Sequence, residues 1–390
     1  MTKKIFIFSM AALLVLPCFS KTPKEKLLQR LQRLELKGVM YGHQDDPFYG
    51  TTWSRIHPEL PMFNEQLIEG NKHLSIANSK SSDSKYSDTY LTVGDYPAVM
   101  GFDLGGIELA NEKNLDGDPF VWIREEIRKH YERGGIITIS WHPRNPLTGG
   151  SAWDVTNNKT VQSILPGGEK HELFLQWMQR VRDFLSTLTD SKGRSIPYIL
   201  RPWHEYNGKW FWWGDPNCTK DEFRALWDMF QDYINGSRVQ GLKGSRVQEL
   251  KDVIVWSCSP NLQGNWTMEK FHERWPEDTR VDIVGEDCYQ WGTTEDFISQ
   301  TTADLDFLTK YAKDHGMIFA ITECGYQNSP NPNWWTGILK PIIDRYTISY
   351  ILPWRNYYKD HFGFAPDICT KDDAMKFYKA KNTLFLRDIK

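Results

Sequence analysis

The chain has 390 residues, with 47 Lys+Arg against 50 Asp+Glu and a formal net charge of −3. That near balance excludes a nucleic-acid binder, which carries a basic excess against phosphates, and no long block of one sign marks a charged tail. Hydrophobic residues at 40% and charged residues at 25% exclude a disordered chain, while 14% aromatic residues, 17 Trp among them, fit either a ring-rich core or an uncharged ligand that stacks on rings, as sugars do.

At the N-terminus Lys3 and Lys4 precede the apolar run 5–16, which is too short to span a bilayer and has the form of a signal-peptide core. Small residues at Cys18 and Ser20 suit cleavage after Ser20, leaving residues 21–390 as the mature chain. The expectation is export, to the periplasm of a two-membrane cell in preference to secretion. Cys18 would instead make an outer-membrane lipoprotein, and Pro17 beside it counts against that. The other cysteines, Cys218, Cys258, Cys288, Cys324 and Cys369, are odd in number and contain no C-x-x-C, so neither a zinc knuckle nor a disulfide scaffold is indicated.

A helix is predicted over 24–37, with Leu27, Leu28, Leu31 and Leu34 on one face, covering the lower end of whatever follows. Eight short β-rich runs come next, at 38–46, 96–108, 134–146, 196–208, 252–261, 281–289, 317–327 and 348–356. Cores such as Ile136-Ile137-Thr138-Ile139 and Ile318-Phe319-Ala320-Ile321 are almost continuously apolar, as strands buried on both faces of a parallel sheet are. Amphipathic helices separate them. One, at 120–133, opens after Asp118-Pro119 and stops at Gly134-Gly135; another, at 223–234, opens from the capping box Thr219 to Glu222 and ends before Gly236. No Pro-, Gly- or Ser-rich linker divides the chain. Eight such units predict an α/β fold, a single-domain (β/α)8 TIM barrel with an N-terminal helix and extended rim loops. A doubly wound sheet is the alternative, but no Gly-x-Gly-x-x-Gly turn follows any strand. The connection 145–169 is long enough to wall a cleft, or else to be a solvated insertion.

Barrels of this kind carry their chemistry at the C-terminal ends of the strands. Those ends hold His43, His142, His204, Glu205, Asp287, Tyr289, Glu323, Trp354 and Arg355. A single rim glutamate usually pairs with a neighbouring arginine. Two of them suit glycoside hydrolysis, which needs a proton donor and a nucleophile or base. Each also sits among aromatic residues: Trp203, Tyr206, Trp210, Phe211, Trp212 and Trp213 around Glu205, and Tyr326, Trp334 and Trp335 around Glu323. Trp212 and Trp213 could equally be core. His142 and His204, taken alone, read as satisfied buried histidines.

The run 201–214, RPWHEYNGKWFWWG, closely resembles the acid/base motif of glycoside hydrolase family 26, the family of many bacterial β-mannanases. TECG at 322–325 is similar to its nucleophile motif, and SWHPRNP at 140–146, DCYQ at 287–290 and PWRN at 353–356 match as well. The resemblance implies a retaining (β/α)8 glycosidase with Glu205 as acid/base and Glu323 as nucleophile. Glu205 would hold its proton in apolar surroundings, and Glu323 would take a hydrogen bond from Tyr289. His142 and His204 would line sugar subsites, Trp210 and Trp354 would stack or wall, and Arg355 would bind hydroxyls. The implied substrate is β-1,4-mannan, galactomannan or manno-oligosaccharides, with no cofactor, no metal, no obligatory protein partner and a monomeric state; a cleft walled by the 145–169 connection would release mainly mannobiose from chain ends. A β-1,3-xylanase or β-glucanase on the same barrel is the alternative. A sugar-binding barrel without catalysis is a third, and the presence of both carboxylates opposes it.

Overall fold

The computed structural model describes residues 21–56, 86–236, 250–358 and 360–390; the expected signal peptide at 1–20 lies outside them. Every one of the eight β-rich runs contains a strand: β1 (Val39–Gln44), β2 (Val99–Asp103), β3 (Ile136–Ser140), β4 (Tyr198–Arg201), β5 (Ile254–Cys258), β6 (Ile283–Tyr289), β7 (Ile318–Gly325) and β8 (Tyr350–Pro353). They pair in sequence order, all parallel, and β1 pairs with both β8 and β2, which closes the barrel. A closed ring excludes the doubly wound alternative. A ninth strand, β9 (Thr383–Leu384), adds beside the start of β1, and its two residues are too few to leave a periodic signal.

The barrel interior explains where the polar groups go. Met40, Val99, Ile136, Ile199, Val255, Ile283, Ile318 and Tyr350 share one buried cluster at the lower ends of the strands. Side chains on a strand alternate, so counting upward by twos from these positions reaches Gln44, Asp103, His142, Arg201, Ser259, Asp287 and Trp354. The lowest layer is apolar, the positions between are mostly small or weakly polar, with Thr138, Ser140 and Ser257 among them, and the upper layer is polar and aromatic. On β7 the count is broken by a bulge, because Glu286 pairs with Ile321 and Asp287 pairs with Glu323. Thr322 is the extra residue, and its hydroxyl donates to Asp287 Oδ1 at 2.6 Å. Two consecutive residues, Thr322 and Glu323, therefore face the barrel mouth.

The helix Pro23–Glu35 starts from a capping box in which Thr22 and Glu25 cap each other's backbone N–H groups. Its Leu27, Leu31 and Leu34 close the apolar lower cluster, while Leu28, placed on the same face by the sequence, only packs against its edge. Lys24 pairs with Asp282 at 2.7 Å, and Arg30 donates to Ile389 O at 2.9 Å, tying both ends of the described chain beneath the barrel. The helices Phe120–Glu132 and Lys220–Asn235 fall where expected. The second has the Thr219–Glu222 capping box and stops at Gly236, whose φ of 84° suits glycine. Four cysteines are buried and Cys369 is exposed, all five free. No helix among the described residues is long and apolar enough to cross a membrane.

Candidate active site

The turn after β4 places Glu205. Trp203 and Glu205 both have φ of 53°, the left-handed region, which costs on the order of 1 kcal/mol for a residue with a side chain. The surroundings hold that turn. Trp203 is buried against Trp141, Trp212, Trp213 and Phe230, Glu205 N donates to Ser259 O at 2.7 Å, and Trp213 Nε1 donates to His204 O at 2.9 Å. Trp212 and Trp213 are thus core residues whose packing shapes the turn that carries Glu205. Trp334 and Trp335 pack into the barrel's outer core against Phe297, Tyr41 and Phe364 and take no part in the cleft, contrary to their grouping with Glu323 in the sequence. His43 also stays out of it, fully buried and bonded to Asp46 at 2.7 Å.

Glu205, Glu323, His142, His204, Trp210, Tyr289, Trp354 and Arg355 all line one cleft of about 540 Å³ at the C-terminal mouth of the barrel. A carboxylate oxygen from each of Glu205, Asp287 and Glu323 lies within 4.8 Å of the others, the one such acidic set found among the described residues. The guanidinium of Arg201 reaches into it, donating to Asp287 Oδ2 at 2.8 Å and to Glu323 Oε1. The set therefore already has a permanent positive charge from the chain itself. Glu323 takes a second hydrogen bond, from the Tyr289 hydroxyl at 2.7 Å. Burial, with the Glu323 carboxylate beside it, pushes the Tyr289 phenol well up and keeps it a donor.

Glu205 stands in a different setting. Its Oε2 accepts from Trp210 Nε1 at 2.5 Å. Burial first, then the Asp287 and Glu323 carboxylates, raise its carboxyl well above the ordinary range. Behind the pair runs a chain of imidazoles. His142 Nδ1 meets Asp103 Oδ2 at 2.7 Å, and His142 Nε2 meets His204 Nε2 at 3.0 Å. Burial works against charge on His142, but the attraction and hydrogen bond of Asp103 outweigh it and raise the ring. Burial, Arg201 and His142 hold His204 well below its ordinary value. Both histidines are cleft-lining and buried at once, so the two readings of them merge.

The structure adds Trp153, Phe211, Asn261, Trp291, Gln327, Asp360 and Phe362 to the cleft wall. Trp153 comes from the long 145–169 connection, which is built around Asn145. That side chain bonds Asp154 O at 2.8 Å, Thr160 Oγ1 at 3.0 Å and the backbone N–H groups of Leu147 and Thr148. Trp153 lies parallel to the His142 ring, centroids 5.4 Å apart. Through Trp153 the segment contributes to the wall of the cleft. Arg201 was inside a quoted motif without a role; its parity with inward Ile199 marks it as facing the mouth.

A parallel barrel with two glutamates at the ends of β4 and β7, in one aromatic-lined cleft and with different hydrogen-bond partners, defines a glycoside-cleaving type of site. The particular family follows from comparison. The model of glycosyl hydrolase family 26 matches residues 59–349, and the chain belongs to that family. A family 26 β-mannanase from Bacteroides ovatus superposes with a TM-score of 0.81 at 38% identity, covering 94% of this chain and 96% of that one. The catalytic domain of an endo-β-1,4-mannanase from Bacillus sp. JAMB-750 superposes with a TM-score of 0.75 at 27% identity, covering 95% and 93%. A mannan endo-1,4-β-mannosidase from Bifidobacterium adolescentis is 30% identical over 269 residues, 66% of this chain but 25% of that protein. The chain thus spans about a quarter of that relative's length.

Proposed function

We propose that this chain is a retaining β-mannanase, hydrolysing the β-1,4-mannosidic bonds of mannan, galactomannan or manno-oligosaccharides by double displacement. The observation that carries the reading is the carboxyl pair, with oxygens of Glu205 and Glu323 within 4.8 Å of each other. Retaining enzymes hold the two groups about 5–5.5 Å apart and inverting ones about 6.5–9.5 Å, leaving room for a water. Glu205, neutral, protonates the departing glycosidic oxygen while Glu323 attacks the anomeric carbon. The charge that Glu323 gives up leaves Arg201 and Tyr289 free to hold the ester oxygen. Glu205, now a carboxylate, takes a proton from water as that water displaces Glu323 and returns the sugar with its configuration kept. The mannan assignment is supported by the names of the relatives above, and predicts faster release of reducing sugar from mannan than from β-1,3-xylan or β-glucan.

Glu205→Ala should keep partial activity on an aryl β-mannoside, whose leaving group needs no proton, and azide should speed it and yield a glycosyl azide of retained configuration. Glu323→Ala should be near dead on every substrate. Absence of azide rescue, or equal activity in the two variants, removes the assignment.

The wall carrying Trp153 supports a finer proposal, a cleft short at one end that releases mainly mannobiose from chain ends. Viscosity of a soluble mannan should then fall slowly relative to reducing sugar released; a steep early fall means internal cleavage. The 1–20 leader fits export to the periplasm, and N-terminal sequencing of the mature protein from Lys21 tests it against lipidation at Cys18.

A further inference from the structure

Trp291 is the second residue of the connection after β6, two positions beyond Tyr289. At 66% exposure it is the second most open of the large apolar side chains among the described residues. A single exposed apolar residue usually needs no explanation. This one is held in a fixed pose over the cleft. Its ring is stacked on Tyr289, with centroids 5.5 Å apart and planes at 28°, and meets the edge of Phe362 at 6.1 Å and 79°.

The backing is itself anchored. Phe362 N and Gly363 N donate to Asn356 Oδ1 at 3.1 and 2.9 Å, and Asn356 Nδ2 donates to the buried Asp88 at 2.9 Å. Gly325, at φ 150°, lets the ring of Phe362 lie on β7, since a Cβ there would come within 2.8 Å of it. Beside the rings, Gln327 Nε2 donates to Asp360 Oδ1 at 2.8 Å, tying the β7 and β8 connections together. An aromatic surface fixed before any ligand arrives, rimmed by an amide and a carboxylate that already pair with each other, suits a neutral ring with one apolar face and hydroxyls around its edge. That description is a pyranose.

We infer that Trp291 is a stacking platform for a further sugar of the substrate chain, a subsite beyond the residues at the carboxyl pair. The platform stands on the β6 side of the mouth, whereas the wall carrying Trp153 rises from β3. Trp153 and Trp291 line the same cleft from different connections, and Trp291 stays exposed. The inference rests on the carbohydrate-chain reading above and names which residue the longer part of the substrate touches.

The test is a ladder of linear β-1,4-manno-oligosaccharides with wild type, Trp291→Ala and Trp291→Phe. Loss of one stacked ring should lower kcat/KM of the alanine variant on the longest members about 3- to 10-fold, through KM, with the loss shrinking as the chain shortens. Phenylalanine should restore part of it. Equal loss at every length, carried by kcat, would make Trp291 a prop for Tyr289 and overturn the inference; so would no loss at any length. Failure of the mannan reading would look different, since wild type itself would leave the ladder uncut. The same three proteins would then be compared on whichever β-linked ladder wild type cleaves.

Discussion

Trp210 touches Glu205 through one atom, and that atom makes a testable claim about proton affinity. Its indole N–H donates to Glu205 Oε2, which favours the ionised carboxylate, while burial and the neighbouring carboxylates favour the neutral acid. The second influence wins. Replacing Trp210 by Phe keeps a ring and removes the donor, so the Glu205 carboxyl must rise further. The alkaline limb of the kcat/KM–pH profile should move to higher pH, with the acid limb and the unfolding midpoint little changed. Trp210→Ala should also lose stacking, roughly 0.5–1.5 kcal/mol, or about 2- to 12-fold in kcat/KM. A profile that does not move would mean another group is the acid. At this scale the sequence was readable wherever strand parity or a long motif singled out a side chain, as at Glu205, Tyr289 and Arg355. Trp291 and Asp360 escaped because connections have no period to count along, and Trp334 misled because proximity in sequence to Glu323 places it on the wrong side of β7.

Between elements, the most consequential contact that carries no catalysis joins β6 to the helix Thr294–Asp314. Glu286 alternates with Asp287 and so points outward from the barrel, where it is fully buried and faces the influence of Asp304. Asp304 Oδ2 accepts from Gln263 N at 2.5 Å, and Asn207 bonds both Asn261 and Gln263, so this helix also steadies the connection that brings Asn261 to the cleft. Burial first, and Asp304 second, raise the Glu286 carboxyl well above its ordinary value. An acid whose folded pKa is raised gives stability that is complete below its unfolded value, about 4.3, and is lost as pH climbs through the folded value. Glu286→Gln removes that ionisation. Its Tm should fall less than wild type's as the pH rises from about 4.3 upward, and a parallel fall in both proteins would remove Glu286 from the account. The elements themselves were legible for physical reasons: two-sided burial writes apolar runs, and capping boxes mark helix starts. The bulge at Thr322 was not, because register is set by the partner strand and leaves no mark in the composition of its own.

For the molecule as a whole, stability and chemistry occupy opposite ends of one barrel. Leu31 is wholly buried where the N-terminal helix closes the lower cluster, far along the barrel axis from the glutamates. Leu31→Ala should cost about 2–5 kcal/mol, read as a lower denaturant midpoint, while the folded fraction keeps its kcat/KM. A matching loss of turnover would show that the plug reaches the mouth. The same lower end gathers both ends of the described chain: Lys24 is held by Asp282 just below β6, and the last residues are held by Arg30 against the turn before β3. The molecule therefore has a stem and a mouth, pointing in opposite directions. A bead or a neighbouring module fastened at either end of the described chain grips the stem and turns the mouth outward, so immobilisation there should leave a passing glycan chain the same unobstructed approach.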